Sequence, residues 1–346
     1  MSVLTGLNRA SRRVIALITA FVTALTVMVF GGAGVANADP RNSLRLDNSA
    51  NGSCDWDPKI AWYVQRCEVW SEASGQNITV QIQAASRGGN AGLYLLDGLR
   101  AMDHANAWTV DVNAPKRYVD NNITLVMPVG GAGSFYADWQ GDSATYDLEG
   151  GPNYMWETFL TSELPAYLEQ NFGVARNNNS ILGLSMGGTA ALNIAAKHPH
   201  MFRQAMSYSG YLTPSAPGMQ NMMRLALLDA GGYNINEMYG SVLNPRRYEN
   251  DPFHNMEGLR GMDVYISAAS GVPGPEDANY PVNLQASGAP LEVLAMTTTR
   301  AFHAKADVIG LPLTVDYPAT GIHNWTQFGY QLDKTRGRVL DVMNAH

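Results

Sequence analysis

Residues 180–199, SILGLSMGGTAALNIAAKHP, join two different periodicities within twenty positions. The run SILGL is short, apolar and bounded by a turn, as expected of a buried strand, whereas GGTAALNIAAKHP is alanine-rich with apolar residues at helical spacing. Between them Ser185 stands in Gly183-Leu184-Ser185-Met186-Gly187. A strand that turns directly into a helix is the unit of a parallel sheet, and the flanking segments repeat it.

Upstream, ITVQIQAA (78–85) alternates at period two, and GLYLLDG and ITLVMPVGG are apolar runs ending in glycine. WETFLTSELPAYLEQNF (156–172) has the pattern of a helix, with Pro165 expected to kink or break it. Downstream come strands in QAMSYSG, DVYISAASG and LTVDYP, a Met- and Gly-rich segment, a helical stretch around Asn279 to Ser287, and a last helix from about Trp325. The expected fold is α/β, a mostly parallel central sheet covered by helices on both faces after an opening hairpin. Sites in such sheets gather at the carboxyl ends of the strands.

The 346 residues are 46% hydrophobic and 15% charged, enough to bury a large core and contrary to disorder. Arg9, Arg12 and Arg13 precede an apolar run from Val14 to Phe30 and the small-residue segment Val35-Ala36-Asn37-Ala38, the layout of a secretory leader over residues 1–38, with an uncleaved membrane anchor as the alternative because the apolar run is long. Removing those three arginines from 23 basic residues leaves 20 against 30 acidic, a net charge near −10 for residues 39–346. That balance speaks against nucleic acid as a partner. Residues 39–346 carry no linker, repeat or charge block and are expected to form one domain. Cys54 and Cys67, an even pair in an exported chain, are expected to form a disulfide, and no metal site is expected.

Strand, G-x-S-x-G and helix in that order form the nucleophile elbow of α/β-hydrolases. The elbow would lift the Ser185 hydroxyl above the sheet, at the N-terminus of a helix whose free N–H groups favour negative charge. In this fold an acid and then a histidine follow the serine. Of seven histidines, His323 stands in YPATGIHNWTQFGY, between the strand LTVDYP and the last helix, where a parallel sheet delivers a base to the serine. The acid is expected after the preceding strand, where GVPGPEDANYP offers adjacent Glu276 and Asp277, which spacing does not separate. Met186 would supply one oxyanion-hole amide, and Leu99, in the turn after LYLLDG, the second.

Seven segments, LYLLDGLRAMD, MPVGGAGSFYADW, WETFLTSELPAYL, LGLSMGGTAAL, YSGYL, DAGGY and GIHNW, resemble in collinear order the motifs of the antigen 85 mycolyltransferases and their corynebacterial-type relatives. The resemblance implies an α/β-hydrolase fold without a cofactor. It implies transfer of a mycolyl group from trehalose monomycolate, through a serine acyl-enzyme, to a second trehalose monomycolate or to cell-wall arabinogalactan. It matches Ser185 to the nucleophile, Glu276 to the acid and His323 to the base, with Leu99 and Met186 as the oxyanion amides. Asp97, Arg100, Asn113, Ser209 and Trp325 match positions lining the trehalose site. The stretch LEVLAMTTTRAFHAKADVIG (291–310) reproduces poorly the family's connection between acid and base. The expected protein is an exported monomer of the cell envelope, in peripheral contact with its outer lipid layer. A carboxylesterase on the same fold and a non-catalytic glycan- or matrix-binding member are the alternatives.

Overall fold

The computed structural model describes residues 39–48, 52–141, 144–146 and 152–346. The chain divides into a unit ending at Asp39, where the leader expected over residues 1–38 lies outside the described residues, and a unit from Pro40 to His346 that carries the fold. Among the described residues nine strands form one sheet: β1 Asp55–Trp56, β2 Val64–Ser71, β3 Gln76–Gln83, β4 Ala91–Leu96, β5 Ile123–Pro128, β6 Asn179–Leu184, β7 Phe202–Tyr208, β8 Asp263–Ser267 and β9 Thr314–Asp316. Their order across the sheet is β1-β2-β3-β5-β4-β6-β7-β8-β9. The β1, β2, β3 and β5 pairings are antiparallel, and every pairing from β5–β4 to β8–β9 is parallel, so an opening antiparallel ribbon leads into a parallel sheet as expected.

The period-two geometry of the strands distributes their side chains between two cores. Tyr94, Leu96, Val126 and Ile181 point into one; Leu93, Leu95, Leu125 and Leu182 point into the other. Both faces are buried, which explains why β4, β5 and β6 read as continuous apolar runs rather than as alternating ones. Helices α1 Leu164–Phe172, α2 Met186–Lys197, α3 Met219–Gly231 and α4 Val282–Ile309 contribute to the first core, and α5 Trp325–Met343 to the second. Among the described residues no helix is long and apolar enough to cross a membrane.

Two helices differ from the sequence reading, and proline accounts for both. Pro165 does not break the helix around it: a π-helical turn, Phe159–Glu163, lies between Trp156–Thr158 and α1. The wider turn accommodates a residue that lacks an N–H and whose ring crowds the preceding turn. Pro290 lies inside α4, and the helix continues through it to Ile309, 28 residues in all, well past the helical stretch expected around Asn279 to Ser287. Cys54 and Cys67 form a disulfide, with Cys54 Sγ 3.2 Å from the Tyr167 hydroxyl on α1.

Candidate active site

Ser185 follows the last residue of β6 with φ 52° and ψ −123°, a conformation uncommon for a residue with a side chain, and its N–H is held by Tyr208 O at 2.9 Å. The turn depends on its glycines. A Cβ on Gly183 would lie 2.1 Å from Gly187 O, and one on Gly187 would lie 2.4 Å from Asp97 O. Helix α2 therefore packs against β6 and the end of β4 without intervening side chains. Ser185 is presented at the helix N-terminus, where the Met186 amide has no carbonyl to bond within the helix. A Cβ on Gly98 would come within 3.7 Å of Ser185 Cβ, so the turn carrying Gly98, Leu99 and Arg100 lies beside the serine. The Leu99 and Met186 amides donate no hydrogen bond among the described residues.

His323 sits in the loop leading into α5, its N–H bonded to Gly288 O at 3.2 Å and its ring edge-on to Phe328. Its Nδ1 lies 2.8 Å from Oε2 of Glu292, not of Glu276. Glu292 is fully buried within α4, and its other oxygen accepts from Ser209 Oγ at 2.7 Å and from Ala269 N at 2.6 Å. A buried carboxylate is retained only where its lone pairs are met, and three donors converge on this one.

The assignment of the acid to the turn after β8 is thereby corrected. Glu276 occupies the 3-10 turn Pro275–Asp277 and faces solvent. Asp277 is buried and accepts from Gly274 N at 2.9 Å and from Asn324 Nδ2 at 2.6 Å, tying the turn to the residue that caps α5. The sequence reading looked for an acid on a loop, whereas the carboxylate that meets His323 projects from a helix that was not expected there.

Ser185, His323, Leu99, Met186, Arg100 and Trp325 line one cavity of about 570 Å³. Its remaining wall is largely apolar and comes from α3 and α4, including Met219, Met222, Met223, Leu225, Leu291 and Leu294. Arg100 and Asp229 of α3 form an ion pair at its rim, both largely exposed. Trp325 also borders a second groove of about 490 Å³, which Asn113, Asp111, Arg117 and Tyr330 line. Asn113 has φ 49° and caps a short helix, its side chain accepting from Lys116 N.

Asp97 and Ser209 do not line either cavity. The Ser209 hydroxyl is committed to Glu292, and its backbone, at φ 51°, is fixed by Ser267 O at 2.7 Å. Asp97 is buried immediately before the turn that carries Gly98 and Leu99. Its Oδ2 accepts from Ala107 N at 2.9 Å, and its Oδ1 has no partner. Burial pushes its carboxyl up to about 7, the Ala107 N–H working against that shift and Asp111 adding to it. Among the described residues no group of three or more His, Cys, Asp or Glu side chains could hold a metal ion.

Residues 71–339 match the family model Esterase, described as "Putative esterase". The chain is 35% identical over 329 residues to diacylglycerol acyltransferase/mycolyltransferase Ag85B of Mycolicibacterium smegmatis, covering 93% of each chain. It is 33% identical to the Ag85C protein of Mycobacterium leprae, covering 82% of this chain and 83% of that protein. Among solved structures, Mycobacterium tuberculosis MPT51 (FbpC1) superposes with a TM-score of 0.70 at 27% identity, over 81% of this chain and 98% of that one. An S-formylglutathione hydrolase from Agrobacterium tumefaciens shares the fold, with a TM-score of 0.61 at 16% identity over 82% of this chain and 98% of that one. A strand–serine–helix turn at the carboxyl end of a parallel sheet accords with the similarity along most of the chain, which makes this protein a member of the esterase family and, within it, of the antigen 85 mycolyltransferases.

Proposed function

We propose that the chain is an exported serine acyltransferase that takes a mycolyl group from trehalose monomycolate onto Ser185 and passes it to a second trehalose monomycolate or to arabinogalactan. The observation that carries this reading is a cavity lined by both Ser185 and His323, with Glu292 buried behind the histidine, whose wall is apolar along α3 and α4 and which Arg100 and Trp325 also line. An apolar wall suits an acyl chain, and a charged and aromatic border suits a sugar.

In this mechanism His323 Nε2 takes the proton from Ser185 Oγ as that oxygen attacks the ester carbonyl. Glu292 accepts the Nδ1–H, fixes the tautomer and stabilises the imidazolium. The amides of Leu99 and Met186 receive the developing oxyanion. Collapse expels trehalose with the proton from His323, and the acceptor hydroxyl then repeats the sequence on the acyl-enzyme. Transfer outruns hydrolysis when a sugar hydroxyl is held at attack distance, since good orientation lowers a barrier by about 7 kcal/mol or more at best. The Arg100–Asp229 pair offers a sugar both a donor and an acceptor, and Trp325 an apolar face. Met222, Leu225 and Leu291 are exposed at the cavity rim, which supports peripheral contact with envelope lipid.

The test is incubation of the purified protein with trehalose monomycolate, following the Ser185 adduct by intact mass and the products by chromatography. Dimycolate and free trehalose are expected from the wild type, and neither from Ser185→Ala. Free acid without glycolipid product would identify a carboxylesterase, and dimycolate from Ser185→Ala would overturn the nucleophile.

A further inference from the structure

Tyr211 lines the cavity together with Ser185 and His323 and belongs to no part of the machinery described so far. Its ring lies 5.9 Å from the His323 ring at 30°, and its hydroxyl is near enough to the Ser185 side chain to interact with it. Two helices fix its position. Tyr211 N donates to Thr189 Oγ1 at 2.9 Å, and the same hydroxyl donates back to Tyr211 O at 3.1 Å, pinning the residue to the first turn of α2. On its other side Leu212 N donates to Thr298 Oγ1 of α4 at 3.2 Å. The segment is thus clamped between the helix that begins at the nucleophile and the helix that carries Glu292.

Sheet order sets where its backbone leaves the sheet. Strand β6 lies between β4 and β7. The oxyanion amide of Leu99 comes from the turn after β4, whereas Tyr211 comes from the turn after β7. The two turns thus leave the two strands that flank β6, one on each side of the strand that ends at Ser185, and both reach the cavity that Ser185 lines.

We propose that Tyr211 is a further catalytic residue, whose phenol O–H donates to Ser185 Oγ and stabilises that oxygen as it leaves the acyl carbon. The proposal rests on Ser185 being the nucleophile. In the second half-reaction the acceptor oxygen bonds to the acyl carbon, its proton passes to His323 Nε2, and the carbonyl electron pair moves onto the oxyanion. On collapse that pair reforms the carbonyl, the C–Oγ bond breaks with its electrons remaining on Oγ, and His323 returns the proton to Oγ. Tyr211 keeps its own proton throughout. Burial, with the nearby Glu292 charge adding to it and the Ser185 side chain offsetting part, holds the phenol well above its ordinary range, so it remains a donor across the working pH range.

The test is Tyr211→Phe, which keeps the ring and removes one oxygen. Stopped-flow release of nitrophenol from p-nitrophenyl butanoate separates acylation from turnover, and quenched intact mass gives the steady-state fraction of acyl-enzyme. One neutral hydrogen bond to a reacting oxygen corresponds to about a tenfold loss. Turnover is expected to fall by about that factor while the burst rate changes less, so that acyl-enzyme accumulates. Loss of packing alone would not raise the acylated fraction, and an unchanged thermal midpoint checks the fold. A variant with wild-type turnover and acylated fraction would overturn the role of Tyr211, as would one in which burst and turnover fall equally. A wild-type enzyme that forms no Ser185 adduct would instead overturn the nucleophile.

Discussion

Replacing Glu292 by glutamine distinguishes the two candidate acids. The carboxylate has three donors around it, Ala269 N at 2.6 Å, Ser209 Oγ at 2.7 Å and His323 Nδ1 at 2.8 Å. An amide has one oxygen, and the Ala269 N–H can only donate, so that oxygen must occupy the Oε1 position. The amide NH2 then faces His323 Nδ1, which has to become an acceptor, and the ring proton moves to Nε2. An imidazole protonated at Nε2 cannot accept the Ser185 proton, and the charge that stabilised the imidazolium is gone. In serine hydrolases where the acid was changed to its amide, this combination cost about four orders of magnitude in kcat, or about 5 kcal/mol of barrier. Glu292→Gln is therefore expected to lose about 10³- to 10⁴-fold in kcat on p-nitrophenyl butanoate, with its shape and fold retained. Glu276→Gln, altering an exposed side chain, should stay within about twofold, as surface substitutions usually do. Both variants need only steady-state kinetics and a thermal melt. Glu292→Gln retaining more than about a tenth of wild-type kcat, or Glu276→Gln losing about a hundredfold, would refute the reasoning.

Three further outcomes follow from other features. Cys54→Ser with Cys67→Ser opens a crosslink of sequence separation 13 and should cost about 3 kcal/mol, read as a lower urea midpoint; an unchanged midpoint would show that the bond constrains little. Asp97, raised to about 7, disfavours its charged form in the fold, so its contribution to stability is present below about pH 4 and lost as the pH rises through 7. The thermal midpoint of wild type relative to Asp97→Asn should accordingly fall across that window and level off above it, and a difference independent of pH would mean that Asp97 titrates like an exposed acid. Leu225→Asp at the cavity rim should lower kcat/KM for long-chain esters by at least about tenfold and leave butanoate nearly unchanged, since each lost apolar contact along a chain adds about 0.8 kcal/mol per methylene; equal losses on both would place the acyl chain elsewhere.

Most of the sheet was legible because burial on both faces leaves a plain mark in sequence. The runs GLYLL, ITLVMP and SILGL become β4, β5 and β6, and the glycines around Ser185 stand where a Cβ would strike backbone. His323 was legible for a topological reason: one loop joins the last strand to the last helix, and one histidine lies in it. Ser209 was placed at the sugar site, but its hydroxyl turns inward to Glu292, since the positive φ that reverses the chain after β7 also sets the direction of the side chain.

Glu292 was not legible as a loop acid because it is not on a loop, yet α4 carries a mark of it. The buried positions of that helix, Gly288, Glu292, Ala295, Thr298, Thr299, Phe302 and Ala306, recur at three- and four-residue steps and form one stripe, while Leu291 and Val293 on either side of the glutamate are exposed. Pro290 and Gly288 hide this period by suggesting a break where the helix continues. Once the period is seen, a glutamate stands within an otherwise uncharged buried stripe. Burying an unpaired carboxylate costs far more than helix packing returns, so such a residue must face a cation or several donors. In a chain whose serine and histidine already require a carboxylate, a glutamate on the buried face of the helix between them is a stronger candidate than one in an exposed turn.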